Sequence, residues 1–128
     1  MHNSDQTIMV VDDDDDLRAL VAEALRKTGY LVVSVASGRE AYSLARKTAP
    51  DLIMMDIGIP EMDGLATLWK MREHEELAKV PVIILTAYDS YDLRGEAASA
   101  GCQIYLTKPF EPSELKQVVN KLLSQSDN

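Results

Sequence analysis

A chain of 128 residues with a formal net charge of −8 is long enough to bury one hydrophobic core without covalent staples. The acidic excess argues against direct nucleic-acid binding, because that affinity depends on lysine and arginine side chains that neutralise phosphates. A single cysteine excludes an internal disulfide framework, and no apolar run approaches the ~20 residues of a membrane span. Since the start shows no signal-peptide pattern, we expect one cytoplasmic domain over residues 1–128, with polar termini at about 1–6 and 124–128 and no membrane contact.

Short apolar runs alternate with helical patterns along the chain. The predicted strands lie at residues 8–11, 31–35, 52–55, 82–86 and 103–107. Apolar residues at helical spacing predict helices at about 17–25, 41–45, 65–72, 90–99 and 112–123. Gly95 weakens the fourth helix by roughly 1 kcal/mol relative to alanine. Five consecutive βα units predict an α/β fold, a doubly wound parallel sheet with helices on both faces.

Polar side chains stand at the predicted carboxyl ends of four strands. They are Asp12 and Asp13 after the first strand, Asp56 after the third, Thr86 on the fourth and Lys108 after the fifth. In a parallel sheet these ends share one edge, where open α/β sheets keep their sites. Carboxylates suit Mg²⁺, which would let an anionic carboxylate attack an anionic phosphoryl donor. The pattern indicates phosphoryl transfer to Asp56, giving an acyl phosphate whose charge Thr86 and Lys108 would contact.

Five motifs, in order, resemble the receiver domain of two-component response regulators, of the single-domain type known from chemotaxis and sporulation. They are Val11-Asp12-Asp13, Met55-Asp56 with Pro60, Met62-Asp63-Gly64, Leu85-Thr86-Ala87, and Tyr105 with Lys108-Pro109-Phe110. Each motif alone is weak, but together they span nearly the whole chain. The resemblance implies a flavodoxin-like fold with strand order 2-1-3-4-5.

The resemblance also implies a phosphoacceptor and a metal site. Asp56 would accept a phosphoryl group from a histidine kinase or a histidine phosphotransfer protein. Asp13 would bind Mg²⁺ directly and Asp12 largely through water, with Asp56 and the backbone carbonyl of Gly58 completing the protein ligands and Mn²⁺ able to replace Mg²⁺. Without the metal, like-charge repulsion among the three carboxylates predicts a raised pKa for at least one of them.

A switch is the third implication of the resemblance. Thr86 and Tyr105 match the switch pair, and Lys108 matches the lysine that pairs with phosphate, in a Lys108-Pro109 bond that is usually cis in receivers. Phosphorylation would bias two states of the surface formed by the fourth helix, fifth strand and fifth helix, which a downstream protein effector would bind. Such a protein promotes its own phosphorylation and slow autodephosphorylation and is not a turnover enzyme.

The end of the chain favours a stand-alone regulator. The fifth helix runs into a polar segment at residues 124–128, with no basic linker leading onward. Gln103-Ile104, before Tyr105, also differs from the acidic pair of receivers that dimerise in winged-helix transcription factors. The lengthened segment at residues 73–80 is similar to single-domain and hybrid-kinase receivers.

Two other functions use a comparable sheet edge. A haloacid-dehalogenase-type phosphatase needs a second aspartate two residues after its nucleophile, where this chain has Gly58, which cannot transfer a proton. A flavodoxin-like binder of flavin mononucleotide needs a phosphate-cradling loop after the first strand, where residues 12–16 are all aspartate. A receiver therefore fits the residues better than either alternative.

The remaining conspicuous residues are interpreted as structural. Acidic residues that suit the positive end of the first helix are Asp14, Asp15 and Asp16. Packing, turn or surface roles are predicted for Cys102 as a small core residue, Trp69 on the third helix, Asp63-Gly64 in a tight turn, and His2 and His74 on the surface.

Overall fold

Five strands and five α-helices alternate in the computed structural model, which describes residues 6–57, 64–87 and 89–126. The strands are β1 (Thr7–Val11), β2 (Leu31–Val35), β3 (Leu52–Met55), β4 (Val82–Thr86) and β5 (Ile104–Thr107). The helices are α1 (Asp15–Lys27), α2 (Gly38–Thr48), α3 (Gly64–Arg72), α4 (Tyr91–Ser99) and α5 (Pro112–Ser126), with a 3₁₀ turn at Glu75–Leu77. None of the helices in these described ranges has the length and apolar character that crossing a membrane requires.

The strands form one parallel sheet in the order β2-β1-β3-β4-β5. Every residue of β3 and β4 is buried, as expected for central strands covered on both faces. The predicted doubly wound α/β fold and its strand order are therefore confirmed. Two strand boundaries differ by one residue, because β1 begins at Thr7 rather than Ile8 and β5 begins at Ile104 rather than Gln103. The Gln103 side chain replaces a ladder partner there, its Oε1 accepting the Val82 N–H at 2.7 Å.

Successive side chains along each strand point to opposite faces of the sheet, so the interior is divided into two cores, one on each face. One core joins Met9, Ile53 and Ile84 to apolar residues of α2, α3 and α4. The other joins Val10 and Ile83 to apolar residues of α1 and α5. The sheet is thus held on both sides, and its carboxyl edge lies between two packed layers.

Side-chain caps fix where three helices begin. Asp14 accepts the Leu17 N–H at 3.1 Å at the start of α1, and Ser37 and Ser90 cap α2 and α4 in the same way. Asp15 and Asp16 follow in the first turn of α1, where the interpretation from sequence placed them. The acidic run after β1 therefore divides into helix-capping residues and the pair that precedes them.

The interpretation of His74 as a surface residue is wrong. His74 is half-buried, its Nε2 shares a hydrogen bond with the hydroxyl of Tyr42, and the two rings are 5.5 Å apart between centroids. His2 lies outside the described residues. Trp69 does lie on α3, but 49% of it is exposed, so it packs less completely than predicted.

Cys102 is half-buried rather than fully in the core. Its Sγ donates to the Ile104 carbonyl at 2.9 Å, and burial raises the pKa of the thiol above its ordinary value. A neutral, hydrogen-bonded thiol agrees with the predicted packing role.

We expect Gly95→Ala to stabilise the protein. Gly95 is exposed within α4, and a Cβ added there would have no atom within 4 Å. Alanine should raise the free energy of unfolding by about 0.5–1 kcal/mol, because it restricts the unfolded chain and favours the helix. Urea unfolding followed by circular dichroism measures this change. Gly64→Ala is the opposing control, since its Cβ would lie 2.6 Å from the Asp56 carbonyl oxygen; a Gly95→Ala protein that unfolds at lower urea would contradict the expectation.

Candidate functional site

The register of the sheet brings the predicted site residues to one edge. Val11 of β1 lies opposite Met55 of β3, so the next residues, Asp12 and Asp56, leave the sheet side by side. The Asp56 N–H donates to the Val11 carbonyl at 3.0 Å and extends this pairing by one residue. On the far side of β4, the Lys108 N–H donates to the carbonyl of Thr86 at 2.8 Å. Backbone hydrogen bonds of the sheet thus place the main chain of Asp12, Asp56 and Lys108 at the same edge.

Three carboxylates gather at this edge. Asp12, Asp13 and Asp56 each offer an oxygen, and these oxygens all lie within 4.8 Å of one another. Asp12 and Asp56 are buried, with 3% and 8% exposed, whereas Asp13 is open to solvent. The cluster has hard oxygen donors and an open side, which is what a magnesium ion that keeps several waters requires.

Lys108 links two of these carboxylates. Its Nζ lies 2.8 Å from Asp12 Oδ2 and 2.8 Å from Asp56 Oδ2. Burial alone would lower the pKa of Lys108, but hydrogen bonds and ion pairs with both carboxylates outweigh it and raise that pKa. Lys108 is therefore a fixed cation within the site. The Lys108-Pro109 peptide bond is cis, as the resemblance implied.

Asp12 is held by several hydrogen bonds. Its Oδ1 accepts the Asp14 N–H at 2.9 Å, and its main-chain carbonyl accepts Arg18 Nη1 at 2.8 Å. Burial raises the pKa of Asp12 in spite of the hydrogen bonds from Lys108 and the Asp14 amide. The predicted upward shift is thus confirmed for this residue, but its main cause is burial, and the charge of Asp56 is a minor contribution.

Arg18 was not predicted as part of this region. It lies in the first turns of α1 and also pairs with Asp15 at 2.6 Å. Three-residue spacing could have suggested the pair with Asp15, but the contact with the Asp12 carbonyl depends on how α1 leaves β1, which no sequence pattern shows.

Gly64 opens α3 against the backbone of Asp56. A Cβ at Gly64 would lie 2.6 Å from the Asp56 carbonyl oxygen and 2.6 Å from Ile57 Cα. Glycine is therefore required by close approach, in addition to the turn chemistry expected for Asp63-Gly64. Gly58 and Asp63 lie outside the described residues.

The two predicted switch residues share one face of the sheet. Tyr105 pairs with Ile84 and Thr107 pairs with Thr86, so all four side chains point to the same side. Thr86 is fully buried, and Tyr105 packs beside the core formed with α2, α3 and α4. Arg94 of α4 lies over the Tyr105 ring, with its guanidinium carbon 4.6 Å from the centroid. The side-chain face that carries Thr86 and Tyr105 is thus in contact with α4.

Comparison with known proteins places this arrangement in a family. Residues 8–120 match the model for the response regulator receiver domain. Among curated proteins, sporulation initiation phosphotransferase F of Bacillus subtilis is 35% identical over 96% of this chain and 98% of its own length. Regulatory protein AtoC of Escherichia coli is 38% identical over 91% of this chain, which spans only 25% of AtoC.

A solved structure bears on the acidic cluster. The receiver domain of the sensor histidine kinase PA1611 from Pseudomonas aeruginosa superposes with a TM-score of 0.85 and 33% identity, over 93% of this chain and 98% of that one. Magnesium is coordinated in the active-site cleft of that structure. The chain belongs to the response regulator receiver domains, a family of switches that take a phosphoryl group on an aspartate and are not turnover enzymes.

Proposed function

We propose that Asp56 is the phosphoacceptor of a single receiver domain that occupies residues 1–128. The observation that carries this proposal is the buried Asp56 carboxylate, held 2.8 Å from Lys108 Nζ inside a cluster of three acids. An anionic carboxylate can accept an anionic phosphoryl group only where cations offset the repulsion between them, and Lys108 supplies one such charge. A cytoplasmic location remains a prediction.

We propose Asp12, Asp13, Asp56 and the carbonyl of Gly58 as ligands of Mg²⁺, with Mn²⁺ as a substitute. When ionised, the three carboxylates carry three negative charges, and Lys108 offsets one of them. The donor set is all oxygen and needs a divalent cation for neutrality, so it fits the metal. Bound Mg²⁺ would neutralise charge between Asp56 and the incoming phosphoryl oxygens.

Receivers interact with histidine kinases or histidine phosphotransfer proteins. In our proposal the phosphoryl donor is a phosphohistidine of such a partner. A carboxylate oxygen of Asp56 attacks phosphorus in line with the leaving imidazole. The P–O bond forms as the P–N bond breaks, and the imidazole nitrogen keeps the electron pair and takes up a proton. Asp56 becomes an acyl phosphate, and Lys108 and Thr86 contact its new oxygens.

The effect of phosphorylation on the effector-binding surface is expected to begin at the face that Thr86 and Tyr105 share. A phosphoryl group that attracts the Thr86 hydroxyl changes the space beside Tyr105, and Tyr105 contacts Arg94 of α4. A ligand shifts populations only by binding two states differently. We therefore expect phosphorylation to change the surface of α4, β5 and α5 through this contact. The net charge of −8 suits a protein effector rather than nucleic acid.

Intact-mass measurement after incubation with acetyl phosphate and Mg²⁺ tests the proposal. We expect one phosphoryl adduct on the wild type and none on Asp56→Asn or in excess chelator, because both the carboxylate and the metal are needed. Asp16→Asn is the matched control, since it removes an exposed carboxylate of α1 and should leave the adduct unchanged. A phosphorylated histidine phosphotransfer protein serves as a second donor. Adduct formation on Asp56→Asn, or none on the wild type with either donor, would contradict the assignment.

A further inference from the structure

A groove between α3 and α4 lies outside the acidic site. It has a volume of about 500 Å³ and is lined by Trp69, Tyr91, Asp92, Gly95, Glu96 and Ser99. The side chain of Arg94 leaves α4 in another direction, toward Tyr105. One helix therefore carries a contact with the predicted switch residue and, separately, one wall of this groove, which we call the α3–α4 groove.

Large aromatic side chains line the groove without being buried in it. Trp69 is 49% exposed and Tyr91 is 92% exposed. Exposed tryptophan and tyrosine that share a concave surface are typical of protein interaction sites, where their ring faces are covered by a partner. The aromatic rings can also attract a cation through their negatively charged faces.

Uncompensated negative charge lies on the same wall. Asp92 and Glu96 are four residues apart on α4, a spacing that brings like charges together and destabilises an isolated helix. Neither carboxylate forms an ion pair with any residue in the described ranges 6–57, 64–87 and 89–126. By contrast, neighbouring Asp89 is paired with Arg94 at 2.6 Å. The groove thus presents two carboxylates that a positively charged group of a partner could neutralise.

Gly95 lies between the two acids and leaves the wall open. No atom lies within 4 Å of where its Cβ would be, so core packing does not require glycine here. A glycine that weakens its own helix is explained when another group must approach the backbone closely. The same residue that makes α4 less stable therefore leaves this part of the groove wall without a side chain.

We propose that the α3–α4 groove binds an arginine side chain in a basic segment of a protein partner. A planar guanidinium can stack on the ring of Trp69 or Tyr91 while its N–H groups donate to Asp92 and Glu96. A second copy of the chain is disfavoured as the occupant, because two molecules of net charge −8 repel each other. Nucleic acid is disfavoured by the same charge.

Tryptophan fluorescence reports on this site directly, because Trp69 is the single tryptophan of the chain. The probe is a capped short peptide in which two arginines alternate with leucines, and the comparison peptide has citrulline in place of both arginines. We expect a saturable change in Trp69 emission with the arginine peptide and at least about tenfold weaker binding of the citrulline peptide, which keeps the shape but not the charge.

Variants separate local from overall electrostatics. The double variant Asp92→Asn/Glu96→Gln should weaken binding of the arginine peptide about tenfold, whereas Glu23→Gln/Glu114→Gln, with the same change in net charge at exposed positions on other helices, should not. Gly95→Ala should bind several-fold more weakly because its methyl group fills the open wall, although its helix is more stable. A variant that gains stability and loses binding cannot be explained by misfolding.

Three outcomes would overturn the proposal. The first is no saturable emission change with the arginine peptide, and the second is equal weakening in both double variants. The third is emission that depends on protein concentration without peptide, together with a dimer in sedimentation, since a second copy would then cover the groove. Loss of binding confined to Asp92→Asn/Glu96→Gln and Gly95→Ala would support it.

Discussion

Replacing Arg72 with methionine should lower the free energy of unfolding by about 3 kcal/mol. The Arg72 guanidinium, near the end of α3, donates to main-chain carbonyls on both sides of it. Its acceptors, at 2.8–3.1 Å, are the carbonyls of Leu77, Ala78, Val80, Ala100 and Gly101. Methionine has a similar apolar stem but no donor, so several half-buried carbonyls would lose their partner.

The position of these carbonyls explains why the expected effect exceeds that of an ordinary surface arginine. They belong to the segment before β4 and to the turn between α4 and β5, so one side chain links two connections that are far apart in the chain. Gly101, at φ +90°, lets that turn approach the Arg72 guanidinium closely, because a Cβ at this position would lie 3.1 Å from Arg72 Nε. The hydrogen bonds of Arg72 and the close approach at Gly101 therefore fix the α4–β5 connection relative to α3.

Urea unfolding of Arg72→Met, Arg72→Lys and Arg46→Met measures the effect. Lysine should recover only a small part, because a single ammonium cannot bond acceptors on two sides as the planar fork does. Arg46 is an exposed arginine of α2 beside the Tyr42 ring and serves as the matched control, with an expected change within about 0.5 kcal/mol. Equal midpoints for Arg72→Met and Arg46→Met would show that the carbonyls find water instead.

The sequence predicted the sheet well because its central strands are buried on both faces. The apolar runs of β3 and β4 have no polar residue until their ends, so their type and length could be read directly. The same property made the site visible, since Asp56 is the first polar residue after such a run. Parallel register then places Asp12 beside it without any further assumption.

Contacts between residues far apart in the chain could not be predicted. Arg72 fits the helical pattern of α3 and gave no sign of its role, because its acceptor Ala100 is 28 residues away. Tyr42 and His74 are 32 residues apart, and the sequence gave no sign of their contact, so His74 was interpreted as a surface residue. Such pairs depend on how helices dock on the sheet, whereas periodicity reports only which face of each element is apolar.

The sequence also could not show why the pKa of Asp12 is raised. Charges at neighbouring strand ends were visible in the sequence, so repulsion was the expected cause. The degree of burial depends on the contacts that Arg18 of α1 and Lys108 after β5 make with Asp12, which only the folded chain shows. Burial proved the larger effect, and this matters for what happens when the compensating cation is removed.

Lys108→Met is expected to lower the free energy of unfolding by about 2–3 kcal/mol in the absence of divalent cations. Lys108 Nζ is the shared partner of Asp12 and Asp56, and those side chains are only 4% and 11% exposed. Methionine keeps much of the apolar stem but leaves two nearly buried carboxylates without their ammonium. Removing one partner of a buried ion pair is costly because the remaining charge stays desolvated.

A second substitution separates this charge effect from lost packing. Asp56→Asn in the Lys108→Met background removes one of the two carboxylate charges that Lys108 contacts, and it should recover part of the loss. Asp56→Asn alone weakens the contact with Lys108 and should not stabilise the protein as much. Mg²⁺ should stabilise Lys108→Met more than the wild type, since a bound cation stabilises the folded state by mass action and here replaces the missing charge. Urea midpoints with and without Mg²⁺ measure these changes, with Lys121→Met at an exposed position of α5 as the control. If Lys108→Met matched Lys121→Met without metal, Lys108 would contribute little to stability. If Asp56→Asn weakened Lys108→Met further, the loss would not come from carboxylate charge left without its ammonium.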